Sequence, residues 1–273
     1  MAVDDNSPII VGGCYRSGTS LVRRLLDSHP RIHCGPEVKF FRDFYADYIG
    51  VEDPISHLRF MVTARSLLPE AELLEILGAS FVEMHQRAAR GAGKPRWADK
   101  VPENVVFLGE WERLLGDNWL FLHVVRNPLD TLASIEEWGF PKSIPAALED
   151  RTNLYVKYAE SGLRFAADNP GRYVRVIYET LVRDPEPAVE MLMAALGESF
   201  DPAQLAINES SHQTGLEDPS AVEASEIHRD RVGRWREVLS DEEAEMIVAR
   251  TARVWSRLDP EGVHPGAPID SKK

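Results

Sequence analysis

The stretch "PIIVGGCYRSGTSLVRRLLDSHP", residues 8–30, constrains this chain more than any other. An apolar run stops at Gly12 and Gly13, a short polar loop follows, and an amphipathic pattern begins at Thr19. A buried strand, an anion-holding turn and a helix come in this order, because the N–H groups opening a helix bind phosphate-like groups. Gly13 and Gly18 have the G-x-x-x-x-G spacing of a phosphate loop, and Ser17, Thr19 and Ser20 add hydroxyl donors to its amides. A nucleotide triphosphatase would place lysine directly after the second glycine. Thr19 stands there instead, and an arginine, Arg16, sits earlier in the loop.

A second strand, "WLFLHVVR" (119–126), breaks at "NPLD" into a helix. Asn127 is its expected N-cap, Pro128 fits the first turn, and Asp130 lies near the positive end of the dipole. Magnesium-dependent phosphoryl transfer needs a carboxylate at such a strand end. This strand ends in Arg126, so both loops point to an anion held by arginine and amide donors without a metal. Arg126 and Ser134, two helical turns past the cap, can converge on a second phosphate. The alternative is a simple ion pair between Arg126 and Asp130.

Strand patterns also fall at 31–35, in the lead-in to Lys100, and at 172–179. Helical patterns fall at 19–28, through most of 37–95, at 102–115, at 143–168, at 185–197 and after a Ser240/Glu243 capping box. Strands alternating with helices predict an α/β, three-layer P-loop-like fold, with a central mostly parallel sheet and helices on both faces. Ligands bind beyond the carboxyl ends of such strands, where Gly13, Arg126 and Glu179 would share a rim. The 273 residues suit a single domain, 1–273, with a helical insertion at about 40–95 and a lid loop at about 206–230.

The net charge of −13 argues against a nucleic-acid or anionic-membrane partner. No run of about 18 apolar residues predicts a membrane span. The acidic N-terminus lacks a basic-then-apolar leader, so the expectation is a cytoplasmic chain with Cys14 and Cys34 reduced, although a pair between them is conceivable. Between Asp184 and His228 there is no Lys or Arg, whereas Arg229, Arg231, Arg234 and Arg236 follow within eight residues, which favours a local anion site. No His/Cys/Asp cluster has metal-ligand spacing, so no metal is expected. Trp97, Trp111, Trp119 and Trp138 read as core.

Arg16 to Ser20 ("RSGTS"), with Arg126, Pro128, Asp130 and Ser134, resemble the sulfotransferases that use 3′-phosphoadenosine 5′-phosphosulfate (PAPS). "HPRIHCGPE" is similar to tyrosylprotein sulfotransferases, and "EVKFF" to glycosaminoglycan sulfotransferases. The resemblance spans residues 8 to about 256. It implies PAPS as co-substrate, with Arg16, Ser17, Gly18, Thr19 and Ser20 around the 5′-phosphosulfate and Arg126 and Ser134 on the 3′-phosphate. It puts Tyr178, in "IYETLVRDPE", near the nucleotide. "RVGRWREVLS", with Arg231, Arg234 and Trp235, resembles the segment that closes over it.

The same resemblance makes Glu37 the catalytic base and Lys100, in "WADKVPEN", the catalytic lysine, with Arg16 on the non-bridging oxygens. His33 is the second-ranked base, and His29 is expected to cap or pack at a helix end. The implied reaction is sulfuryl transfer to a hydroxyl or amine of a small-molecule, carbohydrate or peptide acceptor. Tyrosylprotein enzymes read acidic peptides with further basic residues after the glutamate, for which only Lys39 and Arg42 are candidates here. The competing expectations are a kinase or NTPase with a degenerate loop, and a non-catalytic nucleotide-binding module. Oligomeric state is not legible.

Overall fold

A computed structural model describes residues 4–45, 54–139, 144–207, 227 and 229–260. Five strands, β1 (Ile9–Gly13), β2 (Ile32–Cys34), β3 (Arg96–Lys100), β4 (Leu120–Val125) and β5 (Tyr173–Ile177), form one sheet in the order β2-β3-β1-β4-β5. Every pairing is parallel, with Val11 opposite Lys100 and Gly13 opposite Val124. The fold is therefore α/β with a parallel sheet, as the alternation of patterns predicts.

Both faces of the sheet are covered, so the central strands β1 and β4 are apolar on both sides except at His123, whereas β3 carries Arg96, Asp99 and Lys100. The period of two still sorts their side chains. Ile9, Val11, Leu122 and Val124 pack with Val22, Leu25 and Leu26 of α1 (Thr19–Ser28) and with Val189 and Met193. Ile10, Phe121 and Val125 face the other cluster, with Phe81, Trp111, Tyr155, Ile247 and Val254. Along β3 the same rule sends Lys100 to the α1 side with Ala98, and Asp99 to the side of Trp97.

The stretch after β2 supplies α2 (Phe40–Tyr45), α3 (Pro54–Ala64) and α4 (Glu70–Gly91), so the helical pattern read at 37–95 divides into three helices among the described residues. Phe40 stacks on Phe81 at 4.5 Å, which ties α2 to α4. The 102–115 pattern divides into a 3-10 turn, Pro102–Val106, and α5 (Leu108–Leu115), because Asn104 turns inward to bond the Val11 carbonyl and the Asp99 carboxylate. α6 (Pro128–Trp138) begins as expected, with the Asn127 side chain accepting from Leu129 N. α7 (Leu148–Asp168) starts five residues later than the sequence pattern, past Pro145, which disfavours helix at the residue before it.

The last strand ends at Ile177, and Tyr178 and Glu179 open α8 (Tyr178–Arg183) rather than extending it. α9 (Pro185–Ala195) follows, with Gly197 at φ 78° just beyond it. A short helix, Trp235–Val238, and a last helix, Asp241–Leu258, complete the described chain, the latter with the predicted Ser240/Glu243 capping box. Most of the proposed lid, 208–226 and 228, lies outside the described residues, as does the tail from 261. Trp97, Trp111 and Trp119 are buried core, but Trp138 is 41% exposed and corrects the core reading made for it. No helix among the described residues is long and apolar enough to cross a membrane.

Candidate active site

The sheet order places β1 between β3 and β4, with β2 reached on one side and β4 on the other. The crevice of such a sheet opens where the chain changes direction, beyond β1 and β4. The loop 13–18 and residues 126–127 lie at that point. At Gly13 a Cβ would come within 2.2 Å of the Val124 carbonyl oxygen, so only glycine lets β1 hand over to the loop beside β4. Arg16 has φ 65°, in the left-handed region that non-glycine residues rarely adopt, which marks a loop held in a strained shape by its surroundings.

Gly18 has φ 96°, and a Cβ there would lie 2.4 Å from Cδ2 of Tyr178. The Tyr178 ring thus closes one wall of the loop, and the Arg126 guanidinium lies 4.6 Å from the ring centroid. Burial raises the Tyr178 hydroxyl above its ordinary pKa. We expect Gly18→Ala to cost about 1–3 kcal/mol of stability and to abolish nucleotide binding, read by thermal melting and by titration with 3′-phosphoadenosine 5′-phosphate (PAP). Unchanged binding would mean that the loop is not the nucleotide site.

The two sequence motifs meet in space. Arg16 Nε donates to Ser134 Oγ at 3.1 Å, and the Arg16 guanidinium lies 5.2 Å from the Trp138 ring centroid. Arg126 donates to the Arg16 carbonyl at 2.9 Å and to the Arg231 carbonyl at 2.6 Å, so one guanidinium grips both the first loop and the C-terminal segment. The alternative ion pair between Arg126 and Asp130 does not form. Asp130 instead accepts from the backbone N–H of Gly233 at 2.8 Å and of Trp235 at 3.1 Å, which docks "RVGRW" onto α6. Arg234 is bonded to Glu137 at 2.5 Å, and Trp235 is buried in the core.

The third convergence is Glu37 with Lys100. They form a close ion pair, and Lys100 Nζ also lies 3.3 Å from Ser20 Oγ at the start of α1. The loop carrying Glu37 is anchored by the buried Arg23 of α1, which donates to the Cys34 and Gly35 carbonyls at 2.9 and 3.3 Å. Lys100 has a fully buried side chain and Glu37 one only 7% exposed. Burial raises the Glu37 pKa, while the Lys100 charge and hydrogen bond and the Lys39 charge oppose that rise. The result is a carboxylate made more basic than usual yet kept next to a cation.

His33 makes neither contact; its Nδ1 faces Asp27 Oδ1 at 3.4 Å. His29 caps α1 and points its Nε2 at the Ser199 carbonyl at 2.9 Å. Cys14 and Cys34 are both free and buried, and burial pushes the Cys14 thiol up to about 12. Sequence reading did not single out Trp138 beside Arg16, nor Glu103, which gathers Tyr15, Lys39 and Arg42 next to the Glu37 loop. The signal for Glu103 was its place just past Lys100 and Pro102.

Glu179 lies under the same rim, donated to by Asn127 N at 2.9 Å, and burial pushes its pKa up to about 7 from 4.5. Between those values the folded chain binds the proton more than the unfolded chain, so this group subtracts stability as pH rises from about 4.5 to 7. Glu179→Gln should recover about 1–3 kcal/mol at pH 7.5 and nothing at pH 4.5, measured by urea unfolding. An equal change at both values would sink the assignment.

Residues 8–202 match the model of the sulfotransferase family. The chain is a member of the sulfotransferase family. A Drosophila melanogaster protein-tyrosine sulfotransferase is 26% identical over 229 residues, covering 81% of this sulfotransferase chain and 43% of that protein. A Caenorhabditis briggsae relative, provisionally named a protein-tyrosine sulfotransferase, is 27% identical over 190 residues, 67% of this chain and 63% of its own length. The chain thus spans less than two thirds of either relative. Among solved structures, the sulfotransferase domain of the Synechococcus PCC 7002 olefin synthase superposes with TM-score 0.65 at 20% identity, covering 91% of this chain and 95% of that one. The sulfotransferase domain of the curacin biosynthetic pathway gives TM-score 0.63 at 17% identity, covering 92% and 99%. Both likenesses are of fold.

Proposed function

We propose that the chain transfers a sulfuryl group from PAPS to a hydroxyl, or an amine, of an acceptor, with Glu37 as base. The observation that carries this reading is the Glu37–Lys100 pair beside Ser20, where the first loop runs into α1. Family membership supports it. The donors also fit an anionic nucleotide: Ser17 Oγ and Arg126 Nε are buried without a hydrogen-bond partner.

PAPS, when bound, supplies an activated sulfuryl group. In this reading Arg16, Ser17, Gly18, Thr19 and Ser20 hold its 5′ end, and Arg126 and Ser134 hold the 3′-phosphate. Tyr178 walls the site. Arg231, Arg234 and Trp235 serve through the segment that Asp130 and Arg126 dock over it, since the Arg234 guanidinium is engaged with Glu137.

Transfer would form a bond between sulfur and the acceptor oxygen (or nitrogen, for an amine) and break the bond between sulfur and the phosphate oxygen, which leaves with the nucleotide. Glu37 takes the acceptor proton, for which its raised basicity and short reach suit it. Lys100 places positive charge where the departing oxygen gathers negative charge, and Arg16 does so for the non-bridging oxygens. Activity should therefore fall as pH drops through a value above the ordinary carboxylate range.

The relatives' names make a peptide tyrosine the first acceptor to try. The helical insertion and the 206–230 stretch are the segments we assign to shaping its pocket, all within one domain and, in our reading, in the cytoplasm. Incubation with labelled PAPS and a panel of tyrosyl peptides, phenols and sugars tests the function. PAP should raise the melting temperature more than ATP–Mg²⁺ does, by mass action. The reverse order would favour the kinase-like alternative.

A further inference from the structure

Two cations follow Glu37 closely in sequence, and both are engaged with one buried carboxylate. Lys39 Nζ donates to Glu103 Oε1 at 3.1 Å, and Arg42 Nε lies 3.9 Å from the same oxygen. The Tyr15 hydroxyl donates to it at 2.6 Å. Glu103 is 1% exposed and the Arg42 side chain 7%, while Lys39 reaches 19%. The Lys39 ammonium also lies 5.8 Å from the centroid of the Tyr15 ring.

The arrangement holds as a unit, because removing the carboxylate would leave buried cations uncompensated, and removing the cations would leave a buried carboxylate. It stands beside the reacting centre: Lys39 is two residues from Glu37, and Lys39 and Glu103 both act on Glu37 by charge. At and behind Glu37 stand two carboxylates, Glu37 and Glu103, and three cations already paired to them, Lys100, Lys39 and Arg42, so the cations offer an acceptor little unbalanced positive charge. Acidic groups placed against such a surface gain no ion pair, and like charges in contact oppose binding.

We propose that Glu103 is a specificity-determining residue: by engaging Lys39 and Arg42 it directs the site to acceptors that are neutral or cationic around the reacting group, and away from acidic peptides. This rests on the reading of Glu37 as base of a sulfotransferase. Glu103 acts through the two cations and need not touch the acceptor itself.

The test uses two fluorescent tyrosine peptides of equal length, one with glutamates flanking the tyrosine and one with glutamines. Binding to the full chain is followed by anisotropy at low salt. Wild type should hold the glutamine peptide at least as tightly as the glutamate peptide. Glu103→Gln keeps the shape and removes the charge. It should tighten the glutamate peptide by about tenfold while moving the glutamine peptide by less than about threefold. Adding Lys39→Met should remove that gain, which a merely structural role for Glu103 would not produce. A wild-type preference for the glutamate peptide, or no gain in Glu103→Gln, overturns the proposal.

If Glu103→Gln does not fold, Lys39→Met alone decides. The glutamate peptide should bind it as it binds wild type, and a loss of about tenfold would overturn the proposal. PAP binding by the same wild-type sample is read separately. Its failure would count against the sulfotransferase reading, whereas the peptide preference bears on Glu103 alone.

Discussion

Glu37→Gln lowers sulfuryl transfer by about two to four orders of magnitude, the usual worth of a positioned general base, while PAP binding stays within about twofold. Gln keeps the size of the side chain and a hydrogen-bonding oxygen but cannot take the acceptor proton. The same change has a second consequence, because Lys100 is fully buried and Glu37 is its charged partner. Leaving that ammonium uncompensated should cost about 3–5 kcal/mol, less whatever the 7% opening at Glu37 lets water recover. Lys100→Met should likewise be inactive. The double variant Glu37→Gln/Lys100→Met should melt higher than Glu37→Gln, since it strands no charge. Single-turnover rates and melting curves on the four proteins separate catalysis from stability. Transfer by Glu37→Gln at the wild-type rate would remove it as base.

Arg126→Ala weakens PAP by about a hundredfold, the worth of one or two charge-assisted hydrogen bonds to phosphate, but weakens adenosine 5′-phosphate far less. The difference between the two ligands is the reading that matters. Arg126 also bridges the Arg16 and Arg231 carbonyls, so its loss loosens both loops and should lower affinity for either nucleotide somewhat. A general loosening acts on both alike; a contact to the 3′-phosphate acts on one. Arg126→Lys should recover part of the charge but not the fork that spans two loops. Equal losses for PAP and adenosine 5′-phosphate would show Arg126 to be a structural clamp only.

Much of this site is legible in the sequence. The strand–loop–helix at 8–28, with glycine at 13 and 18, needs those residues for local reasons: close approach to β4 and a positive φ. Such requirements leave marks in the sequence itself. The pairing of the 16–20 loop with Arg126 and Ser134 was legible because both follow strand patterns in a parallel sheet, and such strands end on one rim. Glu37 and Lys100 came from resemblance. The structure adds that they touch, because β3 adjoins β1 and the period of two turns Lys100 toward α1.

Other features were decided by three-dimensional proximity. Asp130 was read as a helix-dipole residue and as a partner for Arg126; in the fold its oxygens face the amides of Gly233 and Trp235, about a hundred residues away. Trp138 resembles three buried tryptophans in sequence, but it falls on the exposed end of α6, over Arg16. Tyr178 continued a strand pattern, yet it opens a helix and closes the wall of the loop at Gly18.

By itself, the sequence determined the α/β alternation, the glycine-bearing loop at 13–18, the strand end at Arg126 and the absence of a lysine after Gly18, because each depends on neighbouring residues and backbone conformation. Only the tertiary structure decided which charges compensate which: Glu37 with Lys100, Arg126 with two carbonyls, and Glu103 with Lys39 and Arg42. A charge chooses its partner by distance and burial, and neither is a property of the residue's place along the chain.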